Sequence, residues 1–123
     1  MKKLTLLFIL ISGFCSAQEA EIFFEQDFQK LDKVEEGTLV KIKYPFTNTG
    51  SEPLFITKHS VPCVCTRVRF PLKPIAPMAT DTVFVYFDSE AKKGIQDRTI
   101  KLYSNAQDNP TEIRFRLTVK KRK

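Results

Sequence analysis

Cys63 and Cys65, separated only by Val64, have the type and spacing to support redox or soft-metal chemistry. Two thiolates suit Cu(I), and His59 and Met78 are candidates to complete such a site. In extended backbone the two side chains face the same way, with Cα atoms about 6.5–7 Å apart, at the outer limit for a disulfide. A bend would bring them into range. Three readings of the pair stand open. It can be structural, as two small buried residues or a disulfide closing a tight ring. It can be a redox pair, since a strained short-loop disulfide is easily reduced. It can hold Cu(I). A four-ligand zinc site cannot be assembled from two cysteines and one histidine.

No other residues converge on a reaction. His59 is the only histidine, so no His-based triad exists. The carboxylates of Glu19, Glu21, Glu25, Glu35, Glu36, Asp88 and Glu90 are not set in pairs within apolar runs, where burial would lift a pKa for acid–base work. Glycine-rich phosphate loops, nucleophile elbows and metalloprotease motifs are missing from the sequence. Asn48 and Asn105 read as turn formers. No catalytic or cofactor-binding residue is assigned, no cofactor is expected, and the chain is expected not to be an enzyme.

The N-terminus indicates where the protein works. Lys2 and Lys3 precede an apolar run from Leu4 to Ile11, and Cys15-Ser16-Ala17 offers small residues for cleavage before Gln18. The run is far shorter than the roughly 20 residues of a membrane span. Residues 1–17 are therefore read as a signal peptide and 18–123 as one domain, exported to the periplasm or secreted. Lipid attachment at Cys15 would need a small residue before it, and Phe14 is bulky. Loss of Lys2 and Lys3 lowers the formal net charge from +6 to +4, and the excess gathers in Lys120-Lys121-Arg122-Lys123. In an exported protein this reads as a solvated tail, with no nucleic-acid partner.

The elements that must position the cysteines are strands. Apolar residues recur with period two in short runs bounded by turn residues. Val40, Ile42, Tyr44 and Phe46 share one face of Leu39 to Thr47, and Pro45 in that strand predicts an edge or a bulge. Leu54 and Ile56 face inward in the next strand, as do Val83, Val85 and Phe87, Ile100 and Leu102, and finally Ile113, Phe115, Leu117 and Val119. Phe28 to Glu36 reads as a loop with Phe28 and Leu31 tucked inward, and Gly50 as a turn residue free to take positive φ. Pro71, Pro74 and Pro77 predict a segment crossing between sheets. About seven short strands in roughly 100 residues predict an all-β fold, an immunoglobulin-like antiparallel β-sandwich. Phe84 and Tyr86 fall on the face opposite Val83 and Val85, so with Phe23 or Phe24 and Phe55 they are candidates for a partner surface.

Several motifs in order carry a resemblance. They are Phe46-Thr47-Asn48-Thr49-Gly50, Pro53-Leu54-Phe55-Ile56, Cys63-Val64-Cys65-Thr66, Pro74-Ile75-Ala76-Pro77 and Ser104-Asn105. Together they resemble the exported bacterial family DUF1573, related to ASH and MSP-like immunoglobulin folds. Val64 and Met78 stand where that family usually has glycine. A β-branched Val64 predicts an extended, or at least φ-negative, Cys-Val-Cys backbone. The resemblance implies the fold and export, and no activity. The expected function is a non-catalytic envelope module that binds another envelope protein or serves structurally; thiol redox or Cu(I) binding is the alternative. The exported protein is expected to begin at Gln18, which intact-mass measurement checks. A diacylated species beginning at Cys15 would overturn this.

Overall fold

The computed structural model describes residues 18–123; the expected signal peptide and Cys15 lie outside the described residues. Among the described residues nine strands form two packed sheets: β1 (Ile22–Phe24), β2 (Phe28–Lys30), β3 (Val34–Glu35), β4 (Leu39–Asn48), β5 (Ile56–Ser60), β6 (Thr66–Arg69), β7 (Thr80–Asp88), β8 (Gly94–Ser104) and β9 (Thr111–Lys120). One sheet runs β1-β4-β7-β6, and the other runs β2-β9-β8-β5 with β3 also on β9. Among the described residues no helix is long and apolar enough to cross a membrane.

Period-two patterning builds the long strands. In β4, Ile42, Tyr44 and Phe46 are buried; in β7, Val83, Val85 and Phe87; in β9, Ile113, Phe115, Leu117 and Val119. These inner faces meet in one core, where the Phe87 and Phe115 rings lie 5.4 Å apart at 59°. Tyr44 is fully buried yet satisfied, because its hydroxyl donates to the Arg114 carbonyl oxygen of the other sheet at 2.9 Å. Burial raises the phenol pKa far above its ordinary value, so the group remains a donor.

The strand count exceeds seven because β2 and β3 occupy the stretch that reads as a loop. Two or three residues are too few to display alternation. They add parallel to β9, so that sheet is mixed rather than purely antiparallel. Backbone bonds from Leu31 N to Arg116 O and from Glu36 N to Lys120 O, each 2.8 Å, fix the segment. Phe28 is not tucked inward: it is 43% exposed, with the Arg114 guanidinium 4.9 Å from its ring centroid. Leu31 does pack partly against the core.

Pro45 sits beside a free edge. β1 pairs only with Phe46 to Asn48, and the Lys43 carbonyl accepts a side-chain bond from Gln29 at 2.6 Å. Backbone groups alternate in direction along a strand, so the proline nitrogen faces the same unpaired side and breaks no ladder. Gly50 serves a different purpose from the one expected. Its φ is not positive; a Cβ there would lie 2.6 Å from Glu21 N, inside the incoming backbone of residues 19–21. Close approach, rather than handedness, requires glycine.

The switch between sheets also differs from the expectation. β6 and β7 are neighbours in the same sheet, so the proline-rich segment arches out and returns. Mutual 2.9 Å bonds between the Leu54 and Ile75 backbones pin the arch to the opposite sheet's approach strand. The chain changes sheets instead through residues 61–65, the cysteine stretch between β5 and β6.

Asn48, 0% exposed, ties these connections together. Its Nδ2 donates to the carbonyls of Glu52 and Ile75 at 2.8 and 2.9 Å, and its Oδ1 accepts from the N–H of Gly50 and Glu21 at 3.0 and 3.3 Å. Phe115→Ala should cost about 3–5 kcal/mol from lost transfer energy and a residual cavity. Asn48→Ala should cost at least about 2 kcal/mol, because it strands several polar groups. Exposed Lys101→Ala should cost less than about 0.5 kcal/mol. Denaturant melts of the three variants check this order.

Candidate functional site

The cysteine stretch is a bend rather than an extended run. Cys63 and Cys65 form a disulfide across Val64, with Cα atoms 5.3 Å apart, and Val64 keeps negative φ. Thr66 N donates to Cys63 O at 3.3 Å, closing the turn. The buried Thr66 hydroxyl lies 3.8 and 3.6 Å from the two sulfurs and is the donor in these contacts, since bonded sulfurs carry no hydrogen. Asp88 N donates to Cys65 O at 2.9 Å, docking the bend on the end of β7. Both cysteines are half-buried while Val64 is wholly exposed at its tip.

The other sequence-predicted residues are not gathered at the bend. His59 is exposed on β5 and packs edge-on against Phe70, with ring centroids 5.8 Å apart. Met78 lies at the far end of β7, where its N–H donates to Asn48 O at 2.7 Å. β7 has nine residues, so Met78 and Cys65 are separated by roughly 25 Å along the strand. Met78 takes φ 65, the left-handed conformation that a glycine would adopt without cost. Among the described residues no three His, Cys, Asp or Glu side chains cluster as a metal site.

The outer face of the β1-β4-β7-β6 sheet presents a different constellation. Register places Phe84 between Lys43 and Arg69, and Tyr86 between Lys41 and Arg67. Each row is an aromatic flanked by cations, and the Lys41 ammonium lies 4.8 Å from the Phe84 centroid. Phe84 and Tyr86 are half-buried, with their edges open to grooves. One groove, of about 590 Å³, runs between Phe84 and the arch carrying Phe70, Leu72 and Lys73. The second, of about 520 Å³, runs between Tyr86 and the disulfide bend, bounded by Leu39, Val64 and Arg67. Arg69 and Tyr86 line both.

Sequence reasoning found Phe84 and Tyr86 but missed the cations. Lys41-x-Lys43 and Arg67-x-Arg69 carry the same period-two signal, yet only the pairing register sets them beside the aromatics. Phe24 is core while Phe23, at 56% exposure, points outward. Phe55 is 45% exposed and Phe23 lies on β1, both away from these grooves.

The opposite sheet shows a closed arrangement. Asp97 is clasped by Arg114, through bonds of 2.7 and 2.5 Å, and by Arg116, at 3.1 and 3.0 Å. Hydrogen bonding from Arg114, and then from Arg116, holds this carboxyl well below the usual carboxylate range. Arg114 is thus both a clasp residue and a lid on Phe28.

This architecture is that of the immunoglobulin-like sandwiches of the PapD-like and MSP kind. It is similar to the ASH/PapD-like domain 7 of human CEP192, at TM-score 0.64 and 8% identity, covering 93% of this chain and 95% of that one. It is similar to a protein of unknown function from Porphyromonas gingivalis W83, at TM-score 0.72 and 14% identity, covering 89% of this chain and 51% of that one. It also resembles WR4, a C. elegans MSP family member, at TM-score 0.50 and 10% identity, covering 84% and 99%. No curated protein sequence matches the chain. The chain belongs to the family DUF1573, "protein of unknown function", which matches it over residues 22–119.

The Asp97 clasp predicts an acid-limb effect. A carboxylate whose folded pKa is depressed stabilises the fold above its unfolded value of about 3.9, and that contribution is lost as pH falls towards the folded value. Over that window the unfolded chain binds more protons, so stability falls with pH. Asp97→Asn should make the stability–pH curve shallower below about pH 4. Denaturant midpoints measured across this range check the slope; an unchanged slope would show that the clasp contributes nothing.

Proposed function

We propose that this chain is a non-catalytic, exported module of the bacterial envelope that binds a protein partner through the outer face of the β1-β4-β7-β6 sheet. The observation that carries the reading is the pair of half-buried aromatics, Phe84 and Tyr86, framed by Lys41, Lys43, Arg67 and Arg69 and bordering two adjacent grooves. A merely solvated sheet face would alternate to small or polar side chains. Aromatics and arginines are the residue types concentrated at protein interfaces. Export is supported by the reading of residues 1–17 and by the Cys63–Cys65 disulfide, a bond that persists in oxidising compartments.

In this reading the disulfide is architectural. It braces the short connection by which the chain changes sheets, where few ladder bonds are available. Its loop is so short that the gain falls well below the roughly 2–4 kcal/mol of a long-loop bridge. The thiol alternative draws support from the exposed tip, since both cysteines are half-buried beside a wholly exposed Val64.

A photo-crosslinking residue at position 86 in the native envelope should capture a protein, whereas the same residue at position 101, on the opposite sheet, should not. Capture at 101 alone, or at neither position, would overturn the proposed face. Cys63→Ser with Cys65→Ser should leave a folded domain of modestly lower stability. Cu(I) uptake or dithiol exchange by the native protein, lost in that double variant, would replace the module with a thiol-based role.

A further inference from the structure

We propose that the partner of this face is an extended acidic segment of a protein, laid lengthwise along the trough beside β7. The inference rests on the reading of this face as the binding surface. The two grooves share Arg69 and Tyr86 and lie end to end along β7 from Thr82 to Asp88, so that an extended chain could follow both as one trough. That span is about 20 Å, the length of six or seven residues of extended chain.

Charge selects the occupant. Four cations line the trough: Lys41, Arg67, Arg69 and Lys73. None of them takes part in the salt bridges found among the described residues, which are those of Asp97 with Arg114 and Arg116 and of Glu90 with Arg122. The two carboxylates of the trough stand at its ends and are engaged locally: Asp81 accepts from Thr82 N at 2.7 Å and Asp88 from Glu90 N at 3.0 Å. The middle is therefore a run of cations without anionic partners, ready for charge-assisted bonds to carboxylates.

Apolar residues at both ends refine the class. Leu39 and Val64 are 64% and 100% exposed at one end, and Leu72 is 88% exposed at the other. Such aliphatic ends suit apolar side chains flanking the acidic stretch. A glycan fits less well, because the Lys41 ammonium occupies the Phe84 face on which a sugar would stack. A bilayer fits less well too, because a flat surface reaches the rim of a concave trough but not the aromatic floor.

Binding of a labelled synthetic peptide of about eight residues, alternating glutamate with leucine and phenylalanine, tests the inference by fluorescence anisotropy. Saturable binding that weakens with added salt is expected. The double variant Arg67→Glu with Arg69→Glu should weaken it at least about tenfold, as charge reversal at a complementary surface does. Lys121→Glu with Lys123→Glu should leave it unchanged, and thermal melts should show all variants folded. Equal binding of the same peptide with lysine for glutamate would overturn the inference. So would binding of heparin or phosphatidylglycerol vesicles that the acidic peptide fails to displace. A protein crosslinked at position 86 combined with no peptide binding would overturn the acidic segment and leave the module reading standing. Failure of both would overturn both.

Discussion

The rest of the sandwich depends on one buried side-chain amide. Asn48 uses both of its donors and both accepting positions, and its four bonds reach the backbone of three segments: the entry to β1, the turn after β4 (twice), and the arch before β7. Its own backbone extends the clamp, donating to Ala79 O at 3.0 Å and accepting from Met78 N at 2.7 Å. A buried amide is tolerated only when its capacity is filled, and here it is. Aspartate would place acceptors against the carbonyls of Glu52 and Ile75, and leucine would leave them bare.

That clamp explains the local oddities around it. Gly50 has no side chain because residues 19–21 must come close enough for Glu21 N to reach the Asn48 amide. Met78 accepts a left-handed backbone, a conformation that costs a non-glycine residue about 1 kcal/mol or more, because its N–H must meet the Asn48 carbonyl. A smaller clamp of the same kind holds the neighbouring turn: Asn105 donates from Nδ2 to Pro53 O at 3.0 Å and accepts at Oδ1 from Phe55 N at 2.8 Å. Two asparagines thus perform at one end of the sandwich what ladder hydrogen bonds cannot do where the chain changes direction.

The two outer faces then diverge in character. On the β9–β8 face, Asp97 satisfies Arg114 and Arg116, and Phe28 lies under a guanidinium, so charge and apolar surface are consumed internally. On the β4–β7 face no cation forms a salt bridge among the described residues, and the aromatics border open grooves. The arch pinned by Asn48 at one end and the disulfide bend docked by Asp88 at the other supply the walls of those grooves. The same constraints that close the fold therefore shape the surface proposed to bind.

Strand alternation by itself determined the all-β sandwich and most of its core. Ile42, Tyr44 and Phe46, Val83 to Phe87, and Ile113 to Val119 bury as period two requires, since facing is a local property of pleated backbone. The family, too, was legible in the order of its short motifs, and DUF1573 matches residues 22–119. Tertiary structure alone decided pairing and proximity. β2 and β3 are too short to signal themselves and exist because β9 offers an edge. The sheet change falls at the cysteines rather than the prolines because β6 pairs with β7 in one sheet while β5 pairs with β8 in the other. Asn48 reads as a turn residue until partners 27 positions away in both directions are brought to it. Arg67 and Arg69 become neighbours of Tyr86 and Phe84 only through register. These are long-range contacts, and composition or spacing along a single strand carries no information about which strand lies beside it.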